Sequence, residues 1–411
     1  MEANITGMTE LFNQSIGITE PWYIRSIETV NNEVHVYVDI RDGNILPCPE
    51  CGEMCQRAGY EKLERVWRHA DCLLYPCYVH CRRPRIVCKE HKTKVVEAPW
   101  SRKNSRFTLM FEGYAMMLLA DMPVRKASKA LKCNEKSLVK MLRYWVSDAV
   151  ERDDLSKVES ISVDETSFKK GQSYVTVVID GKARRVIDVE DGRNAETIVK
   201  FSEKLEKKGG NCNKITQYVC DMSTAYKAGK EICFPYAQLI IDKFHVKQIV
   251  LQGMDEVRRE EQGKIAKGRK LLMIPQNRQT KMQSEKITEL SKAYPNTGRA
   301  YRMVQALDEV YKCQTPNDAE RMLNRLIGWM QRSRLKPMKK VAGTLKERRK
   351  NILAYFQNRV TNAICEGINS MIQAAKRKAR GYHTFEGYSS MIYLIAAKLK
   401  LACGNPLRKL E

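Results

Sequence analysis

At 411 residues the chain is too long for one simple core, and roughly two to four modules are expected. Its 72 Lys and Arg against 48 Asp and Glu leave a net charge of +24, which favours a polyanionic partner. A membrane-spanning helix is not expected, since no apolar stretch approaches the roughly 20 residues one needs. The opening MEANITGMTELF lacks a basic-then-apolar leader pattern, so the expected compartment is the cytoplasm.

In chain order, residues 25–40 alternate polar and apolar positions and predict strands. Of the 14 cysteines, seven fall between Cys48 and Cys88 and the rest are scattered singly. Clustered thiols in a reducing compartment indicate a metal before disulfides. Cys48-Pro-Glu-Cys51-Gly52 and Cys88-Lys-Glu-His91 each space two ligands so that one backbone turn can aim both at one ion. Three thiolates and an imidazole suit tetrahedral Zn²⁺, and the strand-like segment between the pairs makes the whole a zinc ribbon. Cys55, Cys72, Cys77, His80 and Cys81 are rival ligands, and a small β-domain of reduced cysteines is the rival reading.

From residue 106 the period becomes helical. RFTLMFEGYAMMLLADM, PVRKASKALK and NEKSLVKMLRYWVSDAV predict three helices, with Asn134 capping the last. This is a helix-turn-helix pattern in which Lys136, Lys140 and Arg143 face DNA, unless they are merely solvated. Trp145 and Tyr144 are expected in the core.

From residue 160, SISVDETSF, SYVTVVIDG and RRVIDVEDGR predict three strands joined by turns at Gly171 and Gly181. A helix ending at Gly209-Gly210, the strand KITQYVCD, a short helix and the strand AQLIIDKFH follow. Three antiparallel strands and then helix-strand-helix-strand is the order of a ribonuclease-H-like α/β core, in which the first and fourth strands are neighbours. Asp164 and Asp221 would then meet at strand ends. Residues 246 to about 355 lack strand signals and predict an all-helical insertion broken near Pro275, Pro295, Pro316 and Pro337. Its basic stretch RSRLKPMKK could hold flanking DNA or be a solvated face. Glu366 shares a polar helix face with Asn362, Asn369, Ser370 and Gln373. Farther along, Lys376, Arg377, Lys378 and Arg380 can reach phosphates. The last helix, from Thr384 to Cys403, is amphipathic.

The blocks CPECG, VDETSFKKGQSYVTVVID, VCDMSTAY, LIIDKFHVKQ and NAICEGINSMIQAAKRKARGYHTFEGY resemble those of DDE transposases of bacterial insertion sequences, most closely the ISL-three family. The resemblance implies that Asp164, Asp221 and Glu366 are a triad holding Mg²⁺ or Mn²⁺, and it favours Asp164 over the neighbouring Glu165. It also puts the block of Asp242 and His245 beside the catalytic sheet. There Asp242 would support the metal ligands, and His245 would touch phosphate or a bridging water; a buried structural His is the rival. The zinc motif departs from the family pattern by ending in His91 rather than Cys.

The expected organisation is a multidomain α+β chain. It comprises a zinc ribbon over residues 1–100, a helix-turn-helix over 101–155, the core over 156–248, the insertion over 249–355, and the Glu366 helix over 356–411. The expected activity is metal-dependent cleavage and transfer of double-stranded DNA at the terminal inverted repeats of an insertion sequence, by a homodimer or higher assembly at the bacterial nucleoid. Water or a DNA 3′-hydroxyl is the nucleophile, so no Ser-His-Asp or Cys-His arrangement is required. No Walker-type phosphate loop occurs, and ATP is not expected. The alternatives are a domesticated transposase acting as a sequence-specific regulator, or a structure-specific nuclease of the same fold.

Overall fold

The structure, a computed structural model, describes residues 2–43, 45–168, 173–263, 268–358 and 363–403. Gly171 and Asn362 lie outside these residues. The chain divides into two compact units, one running to Glu151 and including the segment from Leu399, the other spanning Arg152–Lys398. No helix among the described residues is long and apolar enough to cross a membrane.

The first unit opens with α1 (Glu2–Ile16), a helix absent from the sequence expectations. Eight strands follow: β1 (Trp22–Val30), β2 (Glu33–Ile40), β3 (Ile45–Pro47), β4 (Met54–Tyr60), β5 (Arg65–Cys72), β6 (Tyr75–Cys81), β7 (Pro84–Cys88) and β8 (Lys92–Val95). They form two four-stranded sheets, ordered β1-β2-β6-β5 and β3-β4-β7-β8. Along β2 the alternation is strict: Val34, Val36, Val38 and Ile40 are buried while the residues between them are half-buried. That is the period of a strand with one face on a core. Trp100 meets Trp22 and Trp67 edge-on, with centroids 5.2 and 5.6 Å away. This is the favoured geometry for aromatic quadrupoles.

Three helices complete the unit: α2 (Leu109–Asp121), α3 (Val124–Leu131) and α4 (Glu135–Glu151). Each boundary has a local cause. The Thr108 hydroxyl accepts the Phe111 N–H at the start of α2, and Pro123 precedes α3. Lys132 turns left-handed after α3, and Asn134 Oδ1 accepts the Lys136 N–H at 2.8 Å to open α4. A buried carboxylate ties α2 to α4 and to the segment before α2. Glu112 is fully buried, and it accepts from Arg102 Nε at 2.8 Å, Ser105 Oγ at 2.6 Å and Trp145 Nε1 at 2.7 Å. Trp145 is therefore core, as expected, whereas Tyr144 is 44% exposed under the Arg102 guanidinium.

The second unit centres on a five-stranded sheet, ordered β11-β10-β9-β12-β13. Its strands are β9 (Ser160–Ser167), β10 (Tyr174–Asp180), β11 (Arg185–Asp191), β12 (Gln217–Cys220) and β13 (Gln238–Ile241), with α5 (Ala195–Lys207) and α6 (Thr224–Cys233) in the crossovers. The first three strands are antiparallel, whereas β12 runs parallel to both β9 and β13. The first and fourth strands are thus neighbours, as the element order predicts. One face buries Ile161, Val163, Val178 and Tyr218 against Ile198, Phe201 and Tyr226 of α5 and α6.

A helical stretch follows: α7 (Lys243–Gln262), α8 (Arg269–Leu272), α9 (Lys281–Ala293), α10 (Pro295–Lys312), α11 (Pro316–Arg332), α12 (Lys336–Glu347) and α13 (Arg349–Asn358). It has its own core, which includes Val250, Met254, Leu307, Leu326 and Met338. Pro295, Pro316 and Pro337 sit in first turns, where a missing N–H costs nothing. The strand expected to run through His245 ends at Ile241. Asp242 accepts the Phe244 N–H at 2.7 Å and starts α7, which puts His245 in a helix. Last come α14 (Ala363–Ala379) and α15 (Phe385–Ala396). The α15 helix covers the β11 edge, where Tyr393 OH accepts the Val189 N–H at 3.1 Å and donates to Asp188 at 2.9 Å. At the other edge, Asn351 of α13 donates to the Leu239 carbonyl at 3.3 Å.

Replacing Glu112 with Ala would strand the Arg102 charge and the Trp145 N–H. A loss of about 3–5 kcal/mol is expected for breaking such a buried pair. Thermal denaturation should show a lowered transition for the first unit; an unchanged transition would mean that the helices do not depend on this carboxylate.

Candidate metal centres and nucleic-acid interface

The sheet β3-β4-β7-β8 is two hairpins joined through β4 and β7. Each turn carries one ligand pair. In the first, Gly52 adopts φ +75° and donates its N–H to the Cys48 carbonyl at 2.9 Å, which folds Cys48 and Cys51 toward the same point. In the second, Lys92 adopts φ +58° directly after His91. The ligand atoms of Cys48, Cys51, Cys88 and His91 all lie within 4.8 Å of one another. Cys51 Sγ is 3.6 Å from Cys88 Sγ, and His91 Nδ1 is 3.6 Å from Cys88 Sγ and 3.9 Å from Cys48 Sγ. Metal bonds of zinc length at tetrahedral angles give edges of about 3.8 Å for S···S and about 3.6 Å for S···N, so the four atoms fit the corners of such a site. Behind it, His91 Nε2 lies 3.5 Å from Glu50, a carboxylate that can fix the ring for coordination through Nδ1. The His91 backbone N–H lowers the pKa of the Cys88 thiol, toward the thiolate a metal needs, whereas at Cys51 the Glu53 backbone is outweighed by desolvation and the neighbouring thiols, which raise it.

The rival ligands sort by sheet. Cys77 and Cys81 are buried in the β1-β2-β6-β5 sheet, and desolvation pushes both thiols up to about 12. His80 lies in the same sheet and faces His35 at 2.9 Å and Glu64 at 3.1 Å. Cys72 is half-buried at the end of β5. Only Cys55 stays near, in a second group with Glu53 and Cys88.

In the second unit the parallel register does the assembling. Ser162, Val219 and Ile240 are level across β9, β12 and β13. Two residues farther along each chain stand Asp164, Asp221 and Asp242. Equal steps keep them in one row, and the two-residue period turns them to the face of Ser162, Val219 and Ile240. The Asp242 N–H still donates to the Cys220 carbonyl at 2.9 Å, so the level pairing continues to the end of the strands. Asp221 Oδ1 accepts the Ser223 N–H at 2.8 Å in the turn before α6. His245 Nε2 lies 3.6 Å from Asp164 Oδ1 and 3.9 Å from Asp242 Oδ2. Burial opposes a charge on this imidazole, but the adjacent carboxylates outweigh it and its pKa is raised. Glu165 turns to the other face, where Arg193 approaches it at 3.6 Å.

The α14 helix lies along β9 through three polar contacts. Asn369 Nδ2 donates to Asp164 Oδ2, Gln373 Nε2 donates to Thr166 Oγ1 at 2.8 Å, and Lys376 Nζ donates to the carbonyl and hydroxyl of Ser167. Residues 369, 373 and 376 recur at helical spacing, and Glu366 stands one turn earlier on the same face. Glu366 itself is exposed. Lys376, expected on phosphate, is thus engaged with β9, while Arg377, Lys378 and Arg380 are exposed. The sequence pattern places Asn369 only on a polar face. Its grip on Asp164 emerges from the structure, and its offset of three from Glu366 is the signal that points to it. Its Oδ1 is buried without a hydrogen-bond partner among the described residues. The carboxylates approach without closing as tightly as the Cys/His group: both clusters within 4.8 Å among the described residues lie in the first unit.

On α4, Lys136, Lys140 and Arg143 are all exposed, while Leu138, Met141, Leu142 and Trp145 are buried. The expected cations therefore share the outer side of the expected recognition helix.

A basic chain with a helix-turn-helix, and a separate sheet whose parallel ends gather carboxylates, defines a protein that acts on DNA. A family model described as a transposase matches residues 161–392, more than half of the chain. A second, described as the helix-turn-helix domain of transposase family ISL3, matches residues 96–146. The chain is 25% identical over 354 residues to the transposase for insertion sequence element IS1001 of Bordetella parapertussis, covering 83% of this chain and 86% of that protein. It is 22% identical over 431 residues to the transposase for insertion sequence element IS1557 of Mycobacterium tuberculosis, covering 94% and 95% of the two chains. The chain belongs to the ISL3 (ISL-three) family of transposases. It is a DNA transposase, a DNA-binding enzyme that cleaves and transfers DNA.

Two outcomes are expected at the first unit. Metal analysis of the purified chain should find one ion bound at the Cys/His group, absent from the double variant Cys48→Ser, Cys51→Ser; an unchanged metal content would remove these ligands. Replacing Lys136, Lys140 and Arg143 with Ala should weaken binding to element ends and reduce the log–log salt slope by about 0.9 for each phosphate left unneutralised. Unchanged binding in a gel-shift titration would sink the recognition-helix assignment.

Proposed function

We propose that this transposase is of the DDE type and Mg²⁺-dependent, with Asp164, Asp221 and Glu366 as metal-binding triad and Mn²⁺ as a competent substitute. Its sheet and Glu366 helix would form a ribonuclease-H-like core, interrupted by the helical insertion. The Cys/His group would hold Zn²⁺, and the ribbon with the helix-turn-helix would read the terminal inverted repeats. Two ends must be joined, and a homodimer is the simplest assembly.

The observation that carries this reading is the level row of Asp164, Asp221 and Asp242, with the helix of Glu366 fastened to Asp164 through Asn369. The donor set fits a hard divalent cation: carboxylates on one face and an amide oxygen left without a partner. When bound, paired divalent ions stabilise the attacking and leaving oxygens of an in-line phosphoryl transfer. The chain's own residues prepare for that. Asn369 fixes the rotamer of Asp164, and the backbone N–H of Glu165 holds its Oδ1 at 2.8 Å. Gln373 and Lys376 pin α14 to β9 and so set where Glu366 stands. His245, flanked by Asp164 and Asp242, presents an imidazole edge suited to donate to a phosphate oxygen or its water. The retained carboxylates favour an active enzyme over a domesticated regulator, and the separate DNA-reading helices favour a transposase over a structure-specific nuclease.

Asp164→Asn, Asp221→Asn and Glu366→Gln keep side-chain size and remove one charge each. Each should abolish Mg²⁺-dependent joining of a labelled element end to plasmid while leaving end binding nearly intact. Glu165→Gln should keep most activity, because Glu165 faces the opposite side of the sheet. Asn369→Ala should lower activity by about 10–100-fold and raise the Mg²⁺ concentration needed, as removing a ligand-orienting partner does. Robust joining by any triad variant would exclude that residue from the metal site.

A further inference from the structure

The helical stretch carries a second concentration of positive charge, outside the acid row. Residues 332–350, RSRLKPMKKVAGTLKERRK, hold nine Lys or Arg and one acid, Glu347. The α12 helix sorts this segment by side. Pro337, Met338, Val341, Ala342 and Leu345 are buried. Val341 packs on α7 so closely that a Cβ at Gly253 would come within 2.7 Å of it. At about 100° per residue, Lys336, Lys339, Lys340 and Lys346 all fall within an arc of about 120° on the opposite side, which also holds one acid, Glu347, paired with Arg348 at 3.5 Å. All four are exposed, and none has an ion-pair partner among the described residues. Gly343 lies at the centre of that arc, with open space where a Cβ would stand. The neighbouring helix α11 handles its charge differently, pairing Arg321 with Asp318 at 2.7 Å.

We propose that this lysine face grips target DNA through its phosphates, without reading sequence. The inference rests on the proposed strand-transfer function. Lysine is a flexible point charge that suits phosphate, whereas base edges are read by forked or amide side chains, and the arc holds no Arg, Asn or Gln. Element ends have the helix-turn-helix to recognise them, whereas a target must be held whatever its sequence. Four lysines against one acid, itself paired with Arg348, leave the net positive potential that a duplex neutralises. The face also has a rigid connection to the acids. The α7 helix is capped by Asp242, and Gly253, under α12, is eleven residues along it, about 17 Å at 1.5 Å per residue. That length is about five base pairs of duplex.

The test uses the full-length protein carrying Lys336→Gln, Lys339→Gln, Lys340→Gln and Lys346→Gln, which removes charge while keeping length and helix propensity. Affinity for a duplex of unrelated sequence should fall by about tenfold or more, with a salt slope shallower by about 3–4. Cleavage at element ends should persist, and joining to plasmid should drop and recover when target DNA is raised. A second variant, Gly343→Glu, sets an acid in the middle of the face and should act in the same direction. Unchanged binding and slope for the unrelated duplex in both variants would overturn the proposal, as would a fall in element-end binding as large as the fall in target binding. If the unaltered protein joined no ends at all, the proposed function would fail, while unrelated-duplex binding would still report on the face.

Discussion

The transposase-family half of this protein depends on one register. Because β12 lies parallel between β9 and β13, residues 57 and 78 positions after Asp164 arrive level with it, at Asp221 and Asp242. An antiparallel β12, or a slip of one residue, would turn the row to the opposite face or disperse it. The core under the sheet enforces the register. Ile161, Val163 and Tyr218 are buried against α5 and α6, so any slip would exchange apolar and polar faces along the whole strand. The same alternation that fills the core therefore selects which acids stand in the row and sends Glu165 to the other face.

Like charges brought together this way must be held in place. Asn369 holds Asp164 from α14, His245 stands between Asp164 and Asp242, and the N–H groups of Glu165, Ser223 and Phe244 each donate to one carboxylate of the row. Two of those N–H groups belong to the starts of α6 and α7, where helix dipoles favour negative charge. The ribbon solves a different problem. Its strands β3, β7 and β8 are three to five residues long, too short to bury a core of their own. Leu46 and Ile86 are buried instead in one core with Val36 and Trp67 of the other sheet, and four ligands converging on one point can add metal–ligand bonds to it.

The positive charge is distributed by task. On α4 the cations sit opposite a buried apolar stripe. On α12 four lysines share an arc with a single acid, Glu347, and on α14 the first of the cations, Lys376, is used to fasten the helix to β9. A net charge of +24 indicates a polyanion but does not distinguish among these uses. Only the burial pattern and the partner atoms do so.

By itself, the sequence determined whatever rests on local chemistry. The paired ligands at Cys48 and Cys51, and at Cys88 and His91, could be read from spacing, because a knuckle is a short-range object. The helix breaks at Pro123, Asn134, Pro295 and Pro316 could be read for the same reason, whereas the adjacency of β9 and β12 was expected only by matching the order of elements to a known kind of core. Tertiary structure alone decided what depends on contacts between distant segments. That Cys77, Cys81 and His80 belong to a different sheet from the ligands follows from β2–β6 pairing, which no local pattern encodes. That His245 stands in a helix follows from Asp242 capping α7 at a point where the apolar run gave no stop signal. That Asn369 holds Asp164, and that Lys376 holds Ser167, depends on α14 crossing β9 more than two hundred residues away in the chain. Side-chain spacing fixes which residues share a face, but only packing fixes what that face meets.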